Sequence, residues 1–175
     1  MAVSNTNADS LLLGSDQRGF FLVARGSIRA SLCFPLRESL LEQLGKGPAA
    51  PAVSADLSQC SYVDSTFIGL LVAVDKRLRK ISGARLRLHR PSPACRDLLA
   101  QVGLGAYLQI EDSPIELPSR MEVVSSAEQR PAAEFILSAH EALMETSEEA
   151  RKKFGLLKEM LEKKLRKEKP PQETP

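Results

Sequence analysis

The sequence predicts an α/β domain, a mixed sheet of four to six strands with helices packed on it, followed by a long C-terminal helix. Three observations carry this prediction. Short apolar or alternating runs recur at 11–13, 20–25, 53–57, 84–89 and 107–110, and segments of helical period stand between most of them. The intervals are long enough for the crossovers that parallel strands require. After residue 131 the apolar period changes to alternating steps of four and three.

Taken in order, residues 1–10 are polar and read as a flexible N-terminus. Residues 11–13 and 20–25 flank a turn bounded by Gly14 and Gly19, which makes them a hairpin, and Gly26 closes the second strand. From 35 to 44, Leu36, Leu40, Leu41 and Leu44 fall at helical spacing. Pro35 sits where a first-turn proline is tolerated, and Gly45 and Gly47 end the pattern. The stretch GKGPAAPA is a loop, and 53–57 is a strand with Asp56 near its end.

A second helix starts near Thr66, since Phe67, Leu70, Leu71, Val74, Leu78 and Ile81 recur three and four residues apart and define a face that must pack on the sheet. Lys76, Arg77, Arg79 and Lys80 occupy the other side, and Gly83 is its C-cap. Residues 84–89 alternate apolar with basic, the pattern of a half-buried strand. Ser92 as N-cap and Pro93 at the first helical position open a third helix over 94–102, with Gly103 beyond it. Residues 107–110 form a last short strand, and 121–124 are a candidate for another. Parallel pairs joined by these helices should cross over right-handed.

Residues 113–131, rich in Pro, Ser and acidic side chains, read as a linker. Over 132–168 a single amphipathic helix is expected, its heptad-like seam formed by Ile136, His140, Leu143, Ser147, Ala150, Phe154, Leu157, Leu161 and Leu165. The polar Ser147 and His140 argue against a long, dry zipper, leaving a lid on its own domain or a contact with a partner or second copy as the open alternatives. Residues 169–175 are expected to be a disordered tail.

At 175 residues the chain has room for one domain and an appendage. A net charge of +2, with basic clustering only near the C-terminus, is too small for a generic nucleic-acid binder. Nothing approaches the roughly 18 to 20 apolar residues of a membrane span. The opening residues lack the basic and apolar regions of a secretory signal, so a cytoplasmic protein is expected. Cys33, Cys60 and Cys95 are an odd, widely spaced set that reads as free thiols in a reducing compartment, with Cys60 a small apolar filler. His89 and His140 have no third ligand at metal-site spacing, and no cofactor, metal or catalytic constellation is expected.

Chemistry centres on Asp64, Ser65 and Thr66, at the turn from strand to second helix. One reading is helix capping, in which a side-chain oxygen accepts from a first-turn N–H. The other is modification: a phosphate on a hydroxyl here would meet first-turn amides and the positive end of the helix dipole, offset in part by repulsion from Asp64. Beside Ser65, the stripe Ile68, Val72, Asp75 and Arg79 is the candidate docking surface, although isolated aliphatics are often exposed without consequence.

The run ADLSQCSYVDSTFIGLLVAVDKRLRKISGARLRLHRPSPACRDLLAQVGLGAYLQI resembles the central pattern of STAS domains, the bacterial anti-sigma-factor antagonists and their relatives. A strand ending Asp-Leu-Ser, an Asp-Ser-Thr turn, a Gly-containing amphipathic helix and a Ser-Pro helix follow in the family's order, over about residues 11–112. The resemblance implies a STAS-like sandwich without enzymatic activity or cofactor of its own. It also implies partner switching, in which the unphosphorylated antagonist binds an anti-sigma factor that is a serine kinase, phosphorylation on the Ser after the Asp breaks the complex, and a serine phosphatase restores it. Carried onto this chain, the acceptor is Ser65, with Thr66 the second choice, Mg-ATP belonging to the kinase. The family's usual Gly after the Ser/Thr pair is replaced by Phe67, which either anchors the helix in the core or enlarges the docking face, and the helix Gly comes at Gly69. The alternative is a STAS scaffold or assembly subunit that bridges proteins through its long C-terminal helix.

Overall fold

Strand β1 (Ser10–Asp16) turns back through Arg18, whose backbone N–H donates to the Asp16 carboxylate, into the antiparallel β2 (Gly19–Ile28). From this hairpin the computed structural model, which describes residues 9–44, 51–124 and 132–168, builds a six-stranded mixed sheet. Strand β3 (Ala52–Val63) lies parallel to β2, β4 (Leu86–His89) parallel to β3, and β5 (Gln109–Glu111) parallel to β4. Strand β6 (Glu122–Val124) closes the other edge antiparallel to β1, giving the order β5-β4-β3-β2-β1-β6. The four to six strands expected are therefore six, in a mixed sheet.

Alternation decides which side chains the sheet buries. Leu13, Leu22, Ala55, Leu88 and Ile110 stand in register across five strands, with Leu11, Ala24 and Leu57 further along the same face. The intervening row, Val23, Asp56, His89 and Glu111, turns polar toward the β5 edge. Residues 112–121 pass from that edge to the opposite one, with the Ser113 carbonyl 3.1 Å from Nδ1 of His89, Glu116 paired with Arg18, and Met121 beside Gly14. The stretch expected to be linker is thus partly domain, because its residues 122–124 complete the sheet.

Three helices follow the strands: α1 (Ala30–Leu44), α2 (Ser65–Ser82) and α3 (Pro93–Gln101). The second and third have the caps read from sequence. Asp64 caps α2, Gly83 ends it with φ +73°, and the Ser92 hydroxyl accepts from Cys95 N–H with Pro93 at the helix start. Helix α1 differs. It begins five residues before Pro35, which lies inside it, because the Ala30 N–H finds a cap 34 residues away in the Asp64 carboxylate, a partner that local sequence cannot reveal. Strand β3 also runs to Val63 rather than 57, kept in register with β2 by bulges near Val23/Arg25 and Gly26/Ser27. Cys33, Cys60 and Cys95 are buried and free.

The long C-terminal helix expected is present as α5 (Glu148–Glu168), but it does not run unbroken from 132: a separate helix, α4 (Ala133–Met144), precedes it. The break has a local cause. Thr146 gives both its N–H and its hydroxyl to the Leu143 carbonyl, and the Ser147 hydroxyl accepts from Ala150 N–H, so two side chains of the seam region end one helix and cap the next. The expected seam folds back on itself as a helical hairpin, with Leu143, Ala150 and Phe154 buried. Residues 1–8, 45–50, 125–131 and 169–175, which include most of the N-terminal segment, the glycines after α1, the end of the linker and the tail, lie outside the described residues.

Asp75 pins α2 to the sheet. Fully buried, it accepts from Nε of Arg85 and the Leu86 N–H, both at 3.0 Å, and from Nε of Arg79 at 2.9 Å. Removing it strands a buried amide and two guanidinium groups. Asp75→Ala is expected to lower stability by about 2–4 kcal/mol, less than a fully buried ion pair because both arginines are partly solvated. Urea unfolding with an unchanged m-value and a lower midpoint would confirm it; a midpoint like the wild type would show that the pin contributes nothing.

Candidate functional site

The parallel strand β3 ends at Val63, and Asp64 turns the chain into α2 with extended backbone, φ −87° and ψ 169°. Its carboxylate has two duties. Oδ1 accepts from Phe67 N–H at 2.9 Å, the ordinary cap of α2, and Oδ2 accepts from Ala30 N–H at 2.8 Å at the start of α1. The Asp64 N–H donates to the Ile28 carbonyl. Two helix N-termini, each carrying positive partial charge, therefore converge on one carboxylate, and Ser65 is the next residue.

Phe67 is fully buried, which resolves the open question about it: it anchors α2 in the core. Thr66 is also buried, 4% exposed, while Ser65 is half-buried, so of the two hydroxyls Ser65 is nearer solvent. What limits access to Ser65 comes from the far end of the chain. Its Oγ lies 2.8 Å from Nε2 of His140 on α4, 75 residues later.

The direction of that bond follows from the other ring nitrogen. Nδ1 is 2.7 Å from the Ile136 carbonyl, an acceptor only, so Nδ1 carries the proton. In the neutral ring Nε2 then accepts, and Ser65 Oγ–H donates. Burial lowers the pKa of His140 from its ordinary 6.5, opposed by the bond to Ile136 and by the charge of Asp64. Around the imidazole stand Ser65 and Asp64 from the α2 side, the Ile136 carbonyl of its own helix, and the Phe154 ring of α5 at 5.3 Å.

Gly69 explains how α4 comes so close. A Cβ on Gly69 would stand 2.3 Å from the carbonyl oxygen of Ala139, so only glycine lets the two backbones meet at this crossing. Two turns further along α2, Nζ of Lys76 donates to the Ala142 carbonyl at 3.2 Å and pairs with Glu145.

The stripe expected to be an exposed docking surface needs correction. Ile68 and Val72 are 3% and 0% exposed. Asp75 is occupied by Arg79, Arg85 and Leu86, and Arg79, partly exposed, also stacks over the Tyr107 ring at 4.6 Å. Sequence patterning treated the stripe as free because α4 was read as part of a separate helix. Two site residues lack a local signal for the same reason: in sequence Gly69 is a displaced family glycine, and His140 is a polar interruption of the seam with no metal-site partner. The second histidine, His89, is elsewhere, on β4 beneath the 112–121 segment.

A mixed sheet with a serine just after a capping aspartate, at the turn from a central parallel strand into an amphipathic helix, is the architecture of a STAS domain. The chain belongs to this family: the family model described as Mlab, STAS domain, matches residues 13–110. Among solved structures it is similar to the anti-sigma factor antagonist SpoIIAA in its unphosphorylated form, with 20% identity and a TM-score of 0.51, covering 58% of this chain and 87% of that one. It is also similar to an anti-sigma factor antagonist from Mycobacterium paratuberculosis, with 19% identity and a TM-score of 0.51, covering 63% and 92%. At these identities the likeness is one of fold. No curated protein matches the chain.

The buried imidazole makes stability depend on pH with a definite sign. Because the folded-state pKa lies below the ordinary 6.5, the unfolded chain binds more protons in the window just under 6.5. The neutral-His contribution is fully present above that window and is lost as pH falls through it toward the folded-state value. Urea midpoints measured at about pH 7.5 and about pH 5.5 should fall more steeply for wild type than for His140→Gln. Equal slopes would place the pH dependence on other groups.

Proposed function

We propose that this chain is an anti-sigma-factor antagonist that acts by partner switching, without enzymatic activity or cofactor of its own. Unphosphorylated, it binds an anti-sigma factor that is a serine kinase; phosphorylation of Ser65 releases it, and a serine phosphatase resets it. The observation that carries this reading is the placement of the Ser65 hydroxyl at the first turn of α2, directly after the Asp64 cap and nearer solvent than Thr66. The docking face is the one centred on Asp64, Ser65, Ile68 and Val72, with Arg79 at its rim; Ile68 and Val72 are buried in the free chain, so docking there requires that they be uncovered. Asp75 supports that rim from below through its bond to Arg79.

A phosphate at Ser65 adds about −1.5 to −2 charges beside Asp64, enough to repel an acidic or apolar partner surface without unfolding the domain. That no helix among the described residues is long and apolar enough to cross a membrane fits this reading, for which we propose a cytoplasmic location. Incubation with a serine-kinase anti-sigma factor from the same genome and Mg-ATP should add one phosphate to the wild type and none to Ser65→Ala, read by intact mass. Phosphate retained by Ser65→Ala would move the site, and an unmodified wild type would oppose the switching role.

A second reading, a STAS scaffold or assembly subunit, is favoured by α5. Its 21 residues span about 31 Å, against about 18 Å for the 12 of α4, so its distal part extends past the helix that backs it. Leu156 and Met160 on it are 70% and 61% exposed. A stable oligomer by light scattering that survives Ser65→Glu and dissociates in a Leu156→Glu, Met160→Glu double variant would establish this reading. A monomer at all concentrations, with no partner retained through α5, would remove it.

A further inference from the structure

Along α2, steps of four, three and four residues bring Ser65, Gly69, Val72 and Lys76 onto one face. Helix α4 lies on that face: His140 meets Ser65, the Ala139 backbone meets Gly69, and the Ala142 carbonyl meets Lys76. At the Gly69 crossing no gap is left for a side chain, so α4 and an external partner cannot occupy the face together. Exclusion here is steric.

The element that covers the face lies outside the residues that the family model matches. The family model ends at residue 110, whereas α4 begins at Ala133. The two solved antagonists cover 58% and 63% of this chain, so neither accounts for the whole of it. Ala132 supplies no side-chain cap to α4. The polar contacts of α4 to α2 include the Ser65–His140 hydrogen bond and the bonds of Lys76 to the Ala142 carbonyl and the exposed Glu145, while Phe135, edge-on to Phe34 at 5.5 Å, and the buried Ala139 and Leu143 supply its apolar hold.

We propose that the α4–α5 hairpin is a lid acting in cis: it occupies the partner-docking face of α2, closes access to Ser65 through His140, and is exchanged for the partner when the protein engages it. This inference rests on the docking role proposed above for that face. Its consequence is that partner affinity is reduced by the fraction of molecules with the lid open, and that kinase access to Ser65 requires the same opening.

Amide hydrogen exchange on the full chain, with no partner present, tests the lid itself. Peptides from 133–144 and from 65–72 should exchange through an opening that leaves β3 and β4 protected. His140→Ala and Phe135→Ala, both confined to the lid, should speed exchange in those two regions about tenfold or more with the β3 rate unchanged. Exchange of α4 only together with β3, in wild type and in both variants, would make the hairpin a permanent part of the core and overturn the proposal. Partner affinity measured on the same proteins, with the anti-sigma factor as probe, should rise by the factor by which opening rises. An opened lid with unchanged affinity would also overturn it. No binding by wild type or by the opened variants would instead refute the docking role on which the gate depends, an outcome distinct from the exchange result.

Discussion

One carboxylate organises this molecule. Asp64 stands where β3 gives way to α2 and accepts from the first turn of two helices, one local and one 34 residues earlier. Either bond alone would be an ordinary cap, of a kind whose loss typically costs about 1 kcal/mol. Together they tie α1, β3 and α2 to a common point, so the orientation of Ser65 depends on both helices. A residue placed there inherits positive potential from two helix ends, a potential that would favour an anionic group at this turn and that the carboxylate of Asp64 tempers.

The C-terminal hairpin, which lies beyond the residues that the family model matches, uses the same point. Gly69 removes the steric barrier between α2 and α4, and His140 supplies an acceptor for the Ser65 hydroxyl. The contact is neutral, partly buried and directional, with the tautomer set by the Ile136 carbonyl. Such a bond contributes little net stability, about 1 kcal/mol, yet it joins the state of Ser65 to the position of α4. Adding a phosphate to Ser65 or a proton to His140 changes that bond, and each therefore bears on whether the hairpin stays down.

Much of this was legible in the sequence, and the failures share a cause. The caps at Asp64, Ser92 and Gly83 and the succession of strands and helices along the chain from β2 to β5 follow from local chemistry and period, which act over a few residues. The early start of α1 did not, because its cap comes from Asp64. The break between α4 and α5 was written in Thr146 and Ser147, residues that compete with the helical ladder, but the apolar seam running through them masked it. The exposed docking stripe failed for a tertiary reason: periodicity names the faces of a helix but not what covers the second one. Phe67, ambiguous in sequence, proved to be core, and Gly69 proved to be the residue that admits the close approach of α4.

The central claim is that partner and hairpin compete for one face of α2, with His140 marking which of them is there. The ring titration of His140, followed by NMR in the free chain and in the complex with the anti-sigma factor, reads this directly. In the free chain its pKa should lie below the ordinary value, and in the complex it should return to about 6.5 as α4 is released to solvent. A His140 that remains depressed and bonded to Ser65 in the complex would contradict the account.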